Sequence, residues 1–205
     1  MGKVTRDSLR GLDKYSRDVW RPFLESEFSS IRGKKILDLG CGLCRYTKDL
    51  TRNNCVVRVD KVDNPFVDYV CVAEDLPFDD CAFDEVIAIG LLDYSDPFKT
   101  VTEIARVLKT DGVARIMVPN ITNPYVKMAT TFGPHRHVKS AFSEEQIGTI
   151  LSDKGLVVEK IVMRGFCFWV PSKALQEAFI PIFNDIDSFT DGRFGNNIYM
   201  VARKN

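Results

Sequence analysis

The sequence predicts an α/β chain built on a mostly parallel, doubly wound sheet with helices on both faces. Three observations carry this expectation. Apolar runs of strand length alternate with segments whose apolar residues recur at helical spacing. The first such run, Lys35–Leu39, ends in Gly40-Cys41-Gly42, a turn able to approach a ligand closely. The length, 205 residues with 45 % hydrophobic and 27 % charged residues, suits one domain with a single core.

The elements follow in order. Residues 5–30 mix charged residues with Leu9, Leu12, Val19, Trp20, Phe23, Leu24 and Phe28, and read as helical with a break near Pro22. After the strand at 35–39, a helix is expected from Leu43 to Arg52. Strands are expected at Cys55–Asp60, Val67–Val72 and Phe83–Ile89. In Pro97–Lys109 the residues Val101, Ile104, Ala105 and Leu108 share one helical face, and Asp111-Gly112 precedes a strand at Val113–Val118. Ser143 with Gln146 forms a capping box for a helix closed by Gly155. Leu156–Met163 and Ile198–Arg203 are the last two strands. The whole chain, 1–205, reads as one domain: a helical cap over 1–30, a sheet core from 31–163 and 196–205, and an apolar insertion or lid over 164–195.

Composition excludes several classes. Lys plus Arg and Asp plus Glu both number 28, so the formal charge is zero. A disordered chain would combine low hydrophobicity with high net charge. A protein gripping nucleic-acid phosphates would carry a basic surface, so no nucleic-acid partner is expected. The first twenty residues are rich in charge and lack the apolar core of a signal peptide, and no apolar run reaches membrane-spanning length. Six cysteines are too sparse for a disulfide scaffold. The chain reads as a reduced, cytoplasmic protein.

In a doubly wound sheet, ligands bind at the carboxyl ends of the strands where the strand order reverses. That directs attention to Asp38-Leu39-Gly40-Cys41-Gly42. The turn lacks the third glycine of a dinucleotide site, because Arg45 stands there. Asp38 would repel a pyrophosphate but suits an ammonium. Asp60, at the end of the second strand, is placed to accept hydrogen bonds from ribose hydroxyls. An acid near the turn and a second acid at the next strand end together suit a nucleoside that carries an amino acid.

This segment resembles motif I of the class I S-adenosylmethionine-dependent methyltransferases, and the resemblance continues in order. Ala73-Glu74-Asp75-Leu76-Pro77-Phe78 and Phe83-Asp84-Glu85-Val86-Ile87 are similar to that family's third-to-fourth strand region. Ile104–Lys109 with Asp111-Gly112, Val118-Pro119-Asn120, Phe142-Ser143 and Tyr199–Lys204 resemble its later elements. The likeness is closest to the small-molecule, type 11-like branch and covers about 33–163 and 196–204. It implies a Rossmann-like methyltransferase fold, seven strands with an antiparallel last strand beside the sixth. It also implies S-adenosylmethionine as methyl donor and S-adenosylhomocysteine as product. By motif position Leu39, Gly40, Cys41 and Gly42 would pass along the donor's amino-acid part, with Asp38 near its ammonium. Asp60 would hold the ribose beside Lys61 and Val62, Ala73 and Glu74 would flank the adenine, and Ile89 and Gly90 the methionine end. Many relatives place an Asp before the Ala-Glu pair; here Val72 stands there.

The acceptor side is less defined by sequence. His135 and His137, the only histidines, fall in the loop after the fifth strand, where either a general base or a loop-ordering hydrogen bond would place them. Asp93, Tyr94 and Tyr125 are further candidates, and Tyr15 would cover the donor's methionine end if the N-terminal helix folds over. Cys41-Gly42-Leu43-Cys44 is a C-x-x-C pair without a second pair, so no metal is expected. In 164–195, Leu175, Ala178, Phe179, Ile182 and Phe183 form an apolar helical stripe that either roofs an acceptor pocket or packs on the sheet edge. Its flanks lack the basic face of a membrane-surface helix. The expected partner is a small-molecule acceptor, a lipid, quinone-like or sugar-containing metabolite.

Overall fold

The computed structural model describes residues 19–132, 140–166 and 173–205. Seven strands form one sheet: β1 (Lys35–Leu39), β2 (Cys55–Asp60), β3 (Tyr69–Val70), β4 (Phe83–Ile89), β5 (Leu108–Pro119), β6 (Leu156–Arg164) and β7 (Asn197–Lys204). Their order is β3-β2-β1-β4-β5-β7-β6. The first five pair in parallel, and β7 runs antiparallel to both β5 and β6. Strand order reverses between β1 and β4, so the loops leaving these two strands diverge and open a crevice.

Successive residues of a strand face opposite sides, and here both sides are buried. Leu37, Leu39, Val86, Ala88, Ala114, Ile116 and Val118 join one core with α2 (Pro97–Val107) and α4 (Glu144–Ser152). Their neighbours Ile36, Ile87, Met117, Tyr199 and Val201 join a second core with Trp20, Leu24 and Phe28 of α1, residues 19–29. Trp20, Phe23 and Tyr199 pack as rings, with Phe23 edge-on to Tyr199 at 5.3 Å. Glu27 ties the same helix to the sheet through Lys160 at 2.6 Å, and Arg115 joins Glu85 at 2.8 Å in the half-buried space between.

Several expectations need correction. The helix α1 runs unbroken through Pro22 within the described residues. No α-helix follows the glycine turn: residues 43–47 are turns, and only a 3-10 helix, Lys48–Arg52, forms. Gly40, Gly42 and Cys44 all take positive φ there. β3 is two residues rather than six, and α2 ends at Val107 because the chain enters β5 at Leu108. A helix missed by pattern, α3 (Pro124–Phe132), follows β5. α4 has the full capping box from Ser143 and Gln146, and Gly155 takes φ +73° after it. The insertion forms α5 (Lys173–Phe189), whose Phe183 packs with Val19, Phe166, Phe179 and Ile180.

Two buried asparagines fasten the strand ends to the segment before β7. Asn120 Nδ2 donates to Gly195 O at 2.9 Å. Asn123 Oδ1 accepts from Tyr125 and Val126 amides, which starts α3, while its Nδ2 donates to Phe194 O and Asn196 Oδ1. Gly195 is needed there, since a Cβ would stand 2.4 Å from the Arg164 backbone.

Candidate functional site

The turn after β1 is held by the end of β2. Gly40 and Cys41 amides both donate to Val59 O, at 2.8 and 3.0 Å. Asp60 then accepts from Gly42 N at 2.9 Å and from Val62 N at 3.0 Å, one on each carboxylate oxygen. Asn64 Nδ2 donates to Gly42 O at 3.2 Å. Asp60 thus fixes the turn's shape. A carboxylate has about four acceptor directions, so capacity for hydroxyl donors is left.

Two cavities meet at Gly40. The first, about 310 Å³, is lined by Asp38, Gly40, Cys41, Gly42, Thr47 and Ile89. The second, about 320 Å³, is lined by Leu39, Asp60, Lys61, Ala73, Glu74 and Gly90, with Leu91 and Tyr94. Gly40 (φ +72°) separates the two: a Cβ there would stand 2.8 Å from Leu91 Cδ1. Val62, on the rim, contributes its backbone to Asp60 and exposes its side chain. Tyr15, His135 and His137 lie outside the described residues.

Asp38 follows Ile36 on the α1 face of the sheet and is buried. The Thr47 hydroxyl donates to it. Burial nevertheless raises its pKa to about 6, against the opposing effects of Thr47 and Arg58. A cationic group placed in this cavity would relieve that penalty. Cys41 and Cys44 sulfurs and an Asp38 oxygen lie within 4.8 Å of one another, which gives the C-x-x-C pair a third donor invisible in sequence. Burial, followed by the charge of Asp38, raises both thiol pKa values.

In the second cavity, Glu74 is partly committed: its Oε1 accepts from Asp96 N at 2.9 Å, at the start of α2. Asp96 itself caps that helix through Phe98 and Lys99 amides. Val72, where relatives carry an acid, is half exposed on the cavity wall.

Asp93 stands apart. It lies in the loop leaving β4, is 4 % exposed, and its Oδ1 has no hydrogen-bond partner. Burial raises its pKa to about 7. Sequence placed it only among several acceptor-side candidates; an orphaned buried carboxylate becomes visible only in three dimensions. Thr47 and Asn64 were missed for the same reason. By contrast, Arg106 is structural: it pairs with Glu103 and Asp80 and donates to the Leu76 and Phe78 carbonyls. Asp84 is structural too, binding Lys35 N and Lys109 Nζ, both at 2.8 Å.

The geometry fits S-adenosylmethionine in its donor set. One cavity offers a buried carboxylate for an ammonium, the other a strand-end carboxylate for a ribose, and the shared wall is a glycine with no room for a side chain.

Comparisons with known proteins agree. Residues 37–116 match the methyltransferase domain model. An uncharacterized protein of Methanocaldococcus jannaschii, MJ1252, is 28 % identical over 94 % of this chain and 79 % of its own length. A demethylmenaquinone methyltransferase of Renibacterium salmoninarum is 27 % identical over 60 % of this chain, which spans about half (54 %) of that enzyme. Among solved structures, a methyltransferase of Haloferax volcanii in complex with the Trm112 activator superposes with a TM-score of 0.67, at 20 % identity, covering 96 % of this chain and 95 % of that one. A Burkholderia thailandensis 1,6-didemethyltoxoflavin N1-methyltransferase, solved with S-adenosylhomocysteine bound, superposes at 0.60, with 18 % identity over 95 % of this chain and 78 % of that one. At such identities the superpositions establish the fold. Among the described residues no helix is long and apolar enough to cross a membrane.

Proposed function

Because the chain belongs to the class I S-adenosylmethionine-dependent methyltransferases, we propose that it moves the donor's methyl group to a small-molecule acceptor, a quinone-like, lipid or sugar-containing metabolite. The observation that carries the donor site is the cleft divided by Gly40, with Asp38 on one side and Asp60 on the other. When bound, S-adenosylmethionine supplies an electrophilic methyl on a sulfonium. Asp38 would pair with the ammonium, and Asp60 would accept from the ribose while keeping Gly42 and Val62 in place. Ala73, Glu74 and Lys61 would border the nucleoside, and Ile89 and Gly90 the methionine end.

Much of the rate in such a displacement comes from alignment of nucleophile and methyl. A base is needed only when the acceptor enters protonated. Asp93 suits that role, since its orphaned oxygen and raised pKa let it hold a proton near neutral pH. His137 and His135 are the alternative bases. The demethylmenaquinone methyltransferase relative supports a small-molecule, quinone-like acceptor. Free cysteines, five among the described residues, support a reducing compartment such as the cytoplasm.

A second reading, that turnover depends on a protein activator, is favoured by the Haloferax volcanii neighbour, whose structure is a complex with Trm112. The deciding experiment is thermal unfolding with S-adenosylhomocysteine, where a hundredfold excess over Kd should stabilise the fold by about 2.7 kcal/mol. No shift up to millimolar ligand overturns the donor assignment. Methyl transfer into reduced naphthoquinones, compared with nuclease- and protease-digested extracts, separates small acceptors from RNA or protein.

A further inference from the structure

In sequence the C-x-x-C pair offers two metal donors, and the fold brings a third. A carboxylate oxygen of Asp38 and the Cys41 and Cys44 sulfurs lie within 4.8 Å of one another. A tight turn brings the two cysteines together, closed by Cys44 N donating to Cys41 O at 2.8 Å. Cys44 holds φ +51°, the left-handed region that favours glycine, so a side chain there carries strain. A cysteine kept at such a position points to a use for its sulfur.

The surroundings suit a cation. Cys44 and Asp38 are buried, while the half-buried Cys41 opens onto the first cavity, which gives an ion its way in. The Thr47 hydroxyl donates to Asp38, the kind of partner that orients a ligating carboxylate. Arg58 stands opposite Asp38 in the β1–β2 register, and its buried Nε has no hydrogen-bond partner. This cation offsets only one of the charges that two thiolates and Asp38 would carry, and a divalent ion supplies the rest.

We propose that Asp38, Cys41 and Cys44 form a site for a thiophilic divalent cation of the zinc type. Zinc accepts sulfur and carboxylate ligands and is held at open sites by three protein groups, which leaves its fourth position to the cavity. On binding, both thiol protons pass to solvent. The ion occupies the carboxylate assigned to the donor's ammonium and repels that ammonium, so metal and donor exclude one another. This exclusion rests on the donor reading above; the metal site does not.

The test titrates the full chain, stripped of metal and kept reduced with a phosphine, with cobalt(II) and then zinc. The expected result is a thiolate-to-cobalt charge-transfer band, bleached by zinc, and S-adenosylhomocysteine affinity about tenfold or more weaker when zinc is bound. Cys44→Gly should abolish the band and the zinc effect yet keep Tm and metal-free ligand affinity, because glycine takes positive φ without strain. Cys41→Ser should likewise abolish the band, a second check should Cys44→Gly fold poorly. No band in the wild type, or a band that survives these substitutions, overturns the site. Zinc bound with ligand affinity unchanged overturns the exclusion. A chain that never binds S-adenosylhomocysteine overturns the donor reading and the exclusion with it, while the cobalt spectrum still decides the metal site.

Discussion

Asp60 accepts two backbone amides and, in the proposed complex, ribose hydroxyls as well. Asp60→Ala would release the glycine turn and remove the ribose acceptor together. Calorimetry should show S-adenosylhomocysteine affinity falling at least tenfold, about 1.4 kcal/mol or more. Asp38 and Asp93 give a pH signature. Both folded pKa values, about 6 and about 7, lie above the ordinary carboxylate value of 3.8, so the folded state holds more protons between these limits. Stability from these groups is fully present below pH 4 and is lost as pH rises through 6 and 7. Asp84 and Glu103, held low by Lys109 and Arg106, act oppositely and lose their contribution toward acid. The difference between wild type and Asp93→Asn isolates the first effect: thermal melts should show the variant gaining relative stability from pH 5 to pH 8. If Asp93 also serves as base, kcat should fall in the same variant while donor affinity holds. Donor binding, in turn, should strengthen as pH rises through 6 and release a proton, because only ionised Asp38 pairs with an ammonium. Calorimetry in buffers of different ionisation enthalpy measures that proton. Gly40, Gly42 and Asp60 were legible in sequence because their spacing follows directly from one strand, one turn and the next strand. Thr47, Asn64 and the isolation of Asp93 were not, since each depends on which loops the fold brings together.

At the scale of elements, strands were read well where both faces are buried. β1, β2 and β4 are short runs rich in Ile, Leu and Val, and their observed bounds match the expected ones. The error after β1 has a clear cause. Leu43–Arg52 contains good helix formers, yet Asp60 and Val59 pull the preceding turn into positive φ and leave Cys44 there too, so a regular helix cannot begin. Local propensity lost to a tertiary clamp. Gly40→Ala tests the clamp: left-handed strain and the contact with Leu91 should cost about 1–3 kcal/mol in urea unfolding. α3 escaped notice because its start is set by Asn123, whose cap shares a side chain with contacts more than seventy residues away. Asn123→Ala loses a helix cap and two hydrogen bonds to the segment before β7, so destabilisation of about 2 kcal/mol is expected by chemical denaturation.

For the whole molecule, alternation of strands and helices predicted a parallel sheet, but periodicity is silent on strand order. The placement of β7 between β5 and β6 came only from the resemblance, since no pattern within Asn197–Lys204 distinguishes a central strand from an edge. The core on one face of the sheet explains why α1 reads as apolar, while Phe183 of α5 joins a separate small cluster with Val19 and Phe166. That same topology bears on biosynthesis. Among the described residues β6 pairs with no strand but β7, and β7 is also the neighbour of β5 on that side. Until β7 is made, β5 and β6 therefore both lack their shared partner, and each leaves backbone donors and acceptors unpaired. Those unpaired groups are open to pairing with another chain, and the last strand to be made is the one that closes them off.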